Sequence, residues 1–291
     1  MKFAVETCSS KIPCNELTIK HYKELLKCSF GDEPDTFIFC ETLCSVFSEL
    51  TNLPISYFYD SSLLDMLLFC IQLKINSQGE ILDLIVTKDD KQMNLELNLI
   101  YMWKRLKDVF GEYNAKQFQI GDLTIDFEIP SIKRFLNKDA ETKEDFLLFI
   151  KTLHKGDRRY CLQNDIEAKQ LFDELPPAMS LEIIDIFSRL LKLSEETNFF
   201  DRYKIKDQKL SYSPTLDFFI KFVKLLFHEP LDVFYDNLFC LAHYGKIDLN
   251  YVSTLTPGEY IYMLKRLEQT LSSSQKNNKT DMIGTSPEED G

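Results

Sequence analysis

The sequence predicts an α+β fold: mainly helical, with a small antiparallel sheet of about four strands covered by helices. Three observations predict it. Between residues 61 and 73 nearly every position is apolar apart from Asp65 and Gln72, the composition of a helix buried by neighbours on several faces. From Glu80 to Pro130 the apolar period shortens to two, as in half-buried strands. After Ser131 the helical period returns and persists to about residue 270.

Taken in order, residues 1–16 read as irregular chain or a short edge strand. Thr18 is placed to cap a helix carrying Tyr22, Leu25, Leu26 and Cys28, and Gly31 ends it. A second helix follows Pro34, with Asp35 or Thr36 at its cap. It sets Phe37, Phe39, Cys40, Leu43, Cys44, Phe47 and Leu50 at helical spacing and stops before Asn52 and Pro54. Tyr57-Phe58-Tyr59 then falls in a predicted loop beside Pro54, and the core helix runs from about Ser61 to Leu73.

Two hairpins are expected next, over residues 80–99 and 117–130. In the first, Ile81 to Thr87 is rich in β-branched residues. Lys88 to Lys91 is a polar turn, and Met93, Leu95, Leu97 and Leu99 alternate with polar residues. A helical or irregular connection, Ile100 to Ala115, leads to the second. There the two-residue turn Gly121-Asp122 joins Phe118 and Ile120 to Leu123, Ile125, Phe127 and Ile129. Helical patterns follow over Ser131 to Leu136, Thr142 to Leu153, Asp165 to Leu175 and Met179 to Leu193, the last with Ser180 as candidate cap.

A polar segment, Asn198 to Ser213, sets off a last helical group: Thr215 to Phe227, Leu231 to Tyr244 ended by Gly245, and Pro257 to Thr270 after the cap candidate Thr256. The expected organisation is a core domain over 1–197, a C-terminal helical extension over 198–270, and a disordered tail over 271–291.

Composition narrows the function classes. With 44% hydrophobic residues and 23 Phe the chain has the means to fold, whereas 9 Gly leave no phosphate-cradling loop. A net charge of −12, from 34 basic and 46 acidic residues, repels a polyanion and argues against nucleic-acid binding. The eight cysteines are scattered through apolar patterns rather than spaced as a disulfide framework, no signal peptide opens the chain, and no apolar run reaches the ~20 residues of a membrane span. These features predict a soluble protein in a reducing cytoplasm.

No chemistry-bearing motif stands out. Cys8 with Cys14, and Cys40 with Cys44, are the nearest approach to a metal site. Structural zinc wants four ligands, and no His lies near either pair, so core thiols and no metal or cofactor are expected. His21, His154, His228 and His243 fall in four separate elements, where surface or capping roles are expected. Carboxylate pairs at Asp89-Asp90, Glu144-Asp145 and Glu195-Glu196, and the run Glu288-Glu289-Asp290, lie in predicted turns, a helix start and the tail, as solvated charge does. No catalytic residue is assigned, and a site assembled only by folding stays open as an alternative. Aromatic excess remains. Tyr57, Phe58 and Tyr59, together with Phe234, Tyr235 and Tyr244, are the candidate partner-binding residues, because Tyr and Phe are enriched at protein interfaces.

The order of elements adds a resemblance. Leu17-Thr18-Ile19-Lys20-His21-Tyr22-Lys23-Glu24-Leu25-Leu26 resembles the turn and T-x-K-x-x-K-x-L-L helix that open the T4-type phage baseplate hub assembly family. The stretch Tyr59-Asp60 through Leu73-Lys74, continuing into Ser77-Gln78-Gly79-Glu80-Ile81-Leu82, is similar to that family's aspartate-led helix and S-x-G-E turn into a hairpin. Leu175-Pro176-Pro177 and its helix also resemble the pattern. The likeness spans residues 15–195. It implies a non-enzymatic tail protein that helps assemble the baseplate central hub through contacts with other hub or tail proteins. The place implied is the cytoplasm of an infected bacterial host, or the virion tail baseplate if the chain is a permanent subunit. Lys88-Asp89-Asp90-Lys91 departs from relatives with a CPxC-like knuckle there, which removes a metal argument. The helices after Asn198 lie beyond the likeness and read as a partner-binding extension.

Overall fold

The computed structural model of the chain describes residues 2–30, 35–88, 91–114, 116–137, 145–156, 158–161, 170, 172–199 and 210–283. The first residues, expected as irregular chain or an edge strand, form a regular antiparallel hairpin, β1 (Lys2–Glu6) with β2 (Lys11–Asn15). Val5, Ile12 and Cys14 turn inward from it. Helix α1 (Ile19–Cys28) starts at Thr18, whose N–H and Oγ1 face His21 Nδ1 at 3.4 and 2.8 Å. Helix α2 (Thr36–Thr51) is capped by Asp35, which accepts from the Ile38 N–H, and ends at Asn52 in the left-handed region, φ +59°.

Tyr57-Phe58-Tyr59 lies in a short helix, α3 (Ile55–Asp60), and not in the predicted loop. Pro54, which suggested a break, sits at the N-cap position, where proline's fixed φ suits a helix start. The core helix α4 (Leu63–Gln78) is longer than expected. Ser62 caps it by accepting from the Asp65 N–H at 3.1 Å, and Gly79, φ +115°, ends it where a side chain would be strained. Every residue from Leu63 to Ile71 is buried, in keeping with the missing polar stripe. Phe69 packs on Phe47 and Phe58, with ring centroids at 4.4 and 5.6 Å.

The two expected hairpins form, but as members of separate sheets. Among the described residues, strands β3 (Ile81–Lys88) and β4 (Lys91–Asn98) pair only with each other. Helix α5 (Leu99–Phe110) and a 3-10 turn (Gly111–Asn114) then lead to β5 (Lys116–Ile120) and β6 (Leu123–Phe127), joined at Gly121-Asp122 as predicted. Gly121 has φ +60°, the conformation a tight two-residue hairpin loop demands.

Helix α6 (Ile132–Leu136) follows, and the helix expected over Thr142 to Leu153 is replaced. A 3-10 segment (Asp145–Phe149) runs into β7 (Ile150–Lys155), which with β8 (Arg158–Cys161) extends the sheet to the order β5-β6-β7-β8. The run Phe146-Leu147-Leu148-Phe149-Ile150 has no polar face to select helix over strand, and β6 offers an unpaired edge that β7 satisfies.

Most of the helix expected over Asp165 to Leu175 lies outside the described residues. Helix α7 (Pro177–Glu196) has Pro176 at its N-cap in place of Ser180, and α8 (Leu216–Leu226) is capped by Thr215. Helices α9 (Leu231–His243), α10 (Leu249–Thr254) and α11 (Pro257–Ile283) complete the chain. The tail expected from residue 271 continues α11 to Ile283, because no Gly or Pro interrupts that stretch; residues 284–291 lie outside the described ones.

A reciprocal cap starts α11. The Thr256 N–H donates to Glu259 Oε2 at 2.8 Å and the Glu259 N–H donates to Thr256 Oγ1 at 3.3 Å. These Thr256 donors, backbone and hydroxyl, hold the Glu259 carboxyl below its usual range. Thr256→Ala should cost about 1 kcal/mol at pH 7. Because the carboxyl is depressed in the folded state, its contribution is present above the ordinary carboxylate pKa and fades as pH falls through the folded one. Urea denaturation of native and variant protein at pH 7 and pH 3 should therefore show the gap narrowing.

Helices α8 and α11 pack directly on α4, and α10 and α11 on α1. One hydrophobic core runs from Val5 to Tyr260, so the helices after residue 198 share it. Gly258 lets α11 approach closely, since a Cβ there would stand 3.2 Å from the Ser77 carbonyl oxygen. No helix among the described residues is long and apolar enough to cross a membrane.

Candidate functional site

The six aromatic candidates separate by burial. Phe58 and Phe234 are core residues, so neither offers surface to a partner. Phe58 sits edge-on to Phe47 and Phe69, and Phe234 is edge-on to Tyr22 with the Tyr260 hydroxyl donating to its carbonyl at 3.4 Å. Tyr57 and Tyr59 are half-buried on α3, and the Tyr57 hydroxyl lies 2.9 Å from Ser10 Oγ. Tyr235 and Tyr244 are exposed, at 41% and 54%.

Around those two the surface is strongly aromatic. Tyr235, Phe239 and His243 recur every fourth residue of α9 and so share one helix face. Phe239, 59% exposed, stacks on His243 with centroids 5.2 Å apart and planes within 9°; Tyr244 stands edge-on to both rings. Lys23 Nζ lies 5.3 Å from the Tyr235 ring centre. Leu249 and Tyr251 on α10, and Tyr262 on α11, are exposed as well. The inward residues of the same helices, Phe234, Leu241, Val252 and Tyr260, are buried, so the helices are anchored on one side and apolar on the other.

Phe239, Tyr251 and Tyr262 are not among the six aromatic candidates that the sequence suggests. The available signal was the four-residue spacing of Tyr235, Phe239 and His243 set against Phe234, which cannot share their face.

Asp126 on β6 meets Thr152 and His154 on β7. Thr152 Oγ1 donates to Asp126 Oδ2, and His154 Nε2 lies 3.3 Å from that oxygen and 3.2 Å from Thr152 Oγ1. Partial burial raises the Asp126 carboxyl, but hydrogen bonds from Thr152, Gln117 and His154 outweigh it and hold the group below its usual range. A nucleophile relay needs the acid on one imidazole nitrogen and the hydroxyl on the other. Here both contact Nε2, so the trio is an electrostatic cluster without that geometry.

His21 caps α1 and approaches Glu49 at 3.3 Å, His228 is exposed, and His243 belongs to the aromatic face. Burial pushes the Cys14 and Cys40 thiols up to about 12, so both hold their protons as core groups do. Among the described residues no group of three or more His, Cys, Asp or Glu is arranged to hold a metal ion. Glu195 and Glu196 are exposed at the end of α7; Asp89-Asp90, Glu144 and Glu288-Glu289-Asp290 lie outside the described residues.

A second feature is a polar cleft of about 540 Å³ between the β1–β2 turn, α3, the start of α4 and the 3-10 turn after α5. Buried Asp65 forms its floor. It accepts from the Cys8 N–H at 2.8 Å on Oδ1, and on Oδ2 from Ser9 Oγ at 2.5 Å and Asn114 Nδ2 at 3.1 Å. Tyr57, Asp60, Glu128 and Lys151 line the walls. Comparison of the chain with protein-family models, with curated proteins and with solved structures finds no match.

Proposed function

We propose that this chain is a non-enzymatic phage tail protein that helps assemble the baseplate central hub through protein–protein contacts, docking a hub or tail protein on the aromatic face of α9 and the neighbouring α10 and α11. The observation that carries the reading is the exposed stripe Tyr235, Phe239, His243 and Tyr244 on a helix whose opposite side is anchored in the core. Clustered exposed aromatic surface marks interaction sites, and aromatic residues dominate binding hot spots. The resemblance of residues 15–195 to the hub assembly family supplies the partner class, and the net charge of −12 disfavours nucleic acid as the partner.

The tagged chain, co-expressed with the tail proteins of its own genome, should capture a baseplate hub component. The combined variant Tyr235→Ser, Phe239→Ser, Tyr244→Ser should weaken capture about 30-fold or more, since one hot-spot aromatic contributes about 2 kcal/mol. Stability should change little, because the three side chains are exposed. Recovery of no tail protein sinks the reading, and undiminished capture by the variant moves the docking surface elsewhere. Mass spectrometry of purified particles separates an assembly factor, absent from them, from a permanent subunit.

A further inference from the structure

We infer that α7 is a self-association surface, on which a second copy of this chain lays its own α7 antiparallel about a twofold axis near the middle of the helix. The pairing lies on a different helix from the aromatic face and does not depend on the docking proposed there.

The helix carries two apolar faces. Ile183, Ile186 and Leu190 are buried against the rest of the protein, as the inner stripe of an amphipathic helix is. Leu181, Ile184 and Leu191 lie on the other side and are 65%, 38% and 37% exposed. With exposed Ser188 they recur at intervals of three, four and three residues, the spacing of a helix–helix seam. The Ser188 hydroxyl donates to the Ile184 carbonyl of its own helix at 2.8 Å, so this small side chain needs no partner and leaves a gap in the stripe. A twofold axis between Ile184 and Ser188 sets each Ile184 into the other copy's gap and each Leu181 against the other's Leu191. The stripe is thus self-complementary, as an isologous dimer requires.

Charge selects the second copy and its direction. Beside the stripe stand Glu182 and Asp185 in the N-terminal half, and Arg189 and Lys192 in the C-terminal half. All are exposed. An antiparallel copy brings Glu182 and Asp185 beside Lys192 and Arg189, whereas a parallel one sets like charges together. The helix ends agree. Helix α7 has no acidic residue in its first turn, no basic residue in its last and no side-chain cap at Pro176. Glu195 and Glu196 instead occupy its C-terminal end, where the helix dipole disfavours negative charge. Within one chain this is an unfavourable arrangement. In the antiparallel pair each Glu195 lies over the other copy's first turn, where the dipole favours it.

One helix per copy makes a small interface, so sedimentation equilibrium of the full chain should show reversible growth from one copy to two across about 1–300 µM. Leu181→Glu with Leu191→Glu should leave a single copy throughout, with circular dichroism unchanged because both side chains are exposed. Asp185→Arg alone gathers cations at the axis and should weaken association about tenfold or more. Adding Arg189→Asp to it should restore association, which a merely damaged helix would not do. A single copy at every concentration overturns the inference, and so does a dimer that survives the Leu181→Glu, Leu191→Glu change. Failure of Arg189→Asp to restore pairing overturns the antiparallel arrangement. The variant Tyr235→Ser, Phe239→Ser, Tyr244→Ser should dimerise as the native chain does; loss of the dimer there assigns it to the aromatic face and overturns the role of α7.

Discussion

Asp65→Ala should lower the stability of this protein by about 2–4 kcal/mol, because the buried Asn114 amide loses its acceptor and the less buried Cys8 N–H and Ser9 hydroxyl add smaller amounts. The carboxylate gathers donors from two elements: the Cys8 N–H and Ser9 Oγ of the β1–β2 turn, and Asn114 Nδ2 after α5. Alanine leaves the buried Asn114 amide without an acceptor, at about 1–3 kcal/mol, whereas the exposed Ser9 hydroxyl can turn to water and loses less. The lost charge near the N-terminus of α4 also removes a favourable interaction with the helix dipole. Asp65→Asn keeps the shape and one acceptor oxygen, so it should cost clearly less. Urea denaturation at pH 7 measures both. A loss below about 1 kcal/mol for Asp65→Ala would mean that hydrophobic packing, and not this network, fastens the hairpin to α4.

The same residue marks where the sequence stops being informative. Asp65 is visible as a charge inside an apolar run, which signals a partnered buried group. Its partners lie 57, 56 and 49 residues away, in stretches with no pattern that points to it. The change of period at Glu80 was legible because strand pairing there is local: Ile120 meets Leu123 across two residues, and Lys88 meets Lys91. Strand β7 was not, because its selection depends on the free edge of β6, more than twenty residues earlier in the chain. For the aromatic candidates, spacing placed Tyr235 and Phe234 on different faces, yet only the packing of Tyr22 and Tyr260 against Phe234 decides which face is inside. Tyr57-Phe58-Tyr59 failed as a loop because Pro54 served as a helix start, and the middle ring of the three completes the aromatic core with Phe47 and Phe69.

Lys74→Met should stabilise the protein by about 3 kcal/mol at pH 7, with a gain that shrinks as pH rises from 8 to 10.5. Lys74 is 8% exposed, between Gln78, to which its ammonium donates, and the Phe227 ring, whose centre lies 6.0 Å away. Burial drives its pKa from 10.5 down to about 8, against the opposing pull of Glu229, whose own carboxyl burial raises. A lowered lysine pKa means that the unfolded chain binds the proton more tightly. Below pH 8 both states are charged and the folded one bears the full cost of a desolvated ammonium. Between 8 and 10.5 the folded state sheds the proton first, and the cost disappears. Methionine fills similar space without charge. Its gain is reduced by whatever Glu229 loses with the nearby cation, so Lys74→Met with Glu229→Gln should gain at least as much as Lys74→Met alone. The difference between native and variant stability, measured by urea denaturation from pH 7 to 10.5, isolates Lys74 from the tyrosines and cysteines that titrate in the same range. A difference that stays flat across that window would show that Lys74 keeps its charge on folding at little cost. The declining difference expected here locates an energetic weak point between α4 and the segment joining α8 to α9, the segment from which the aromatic face begins.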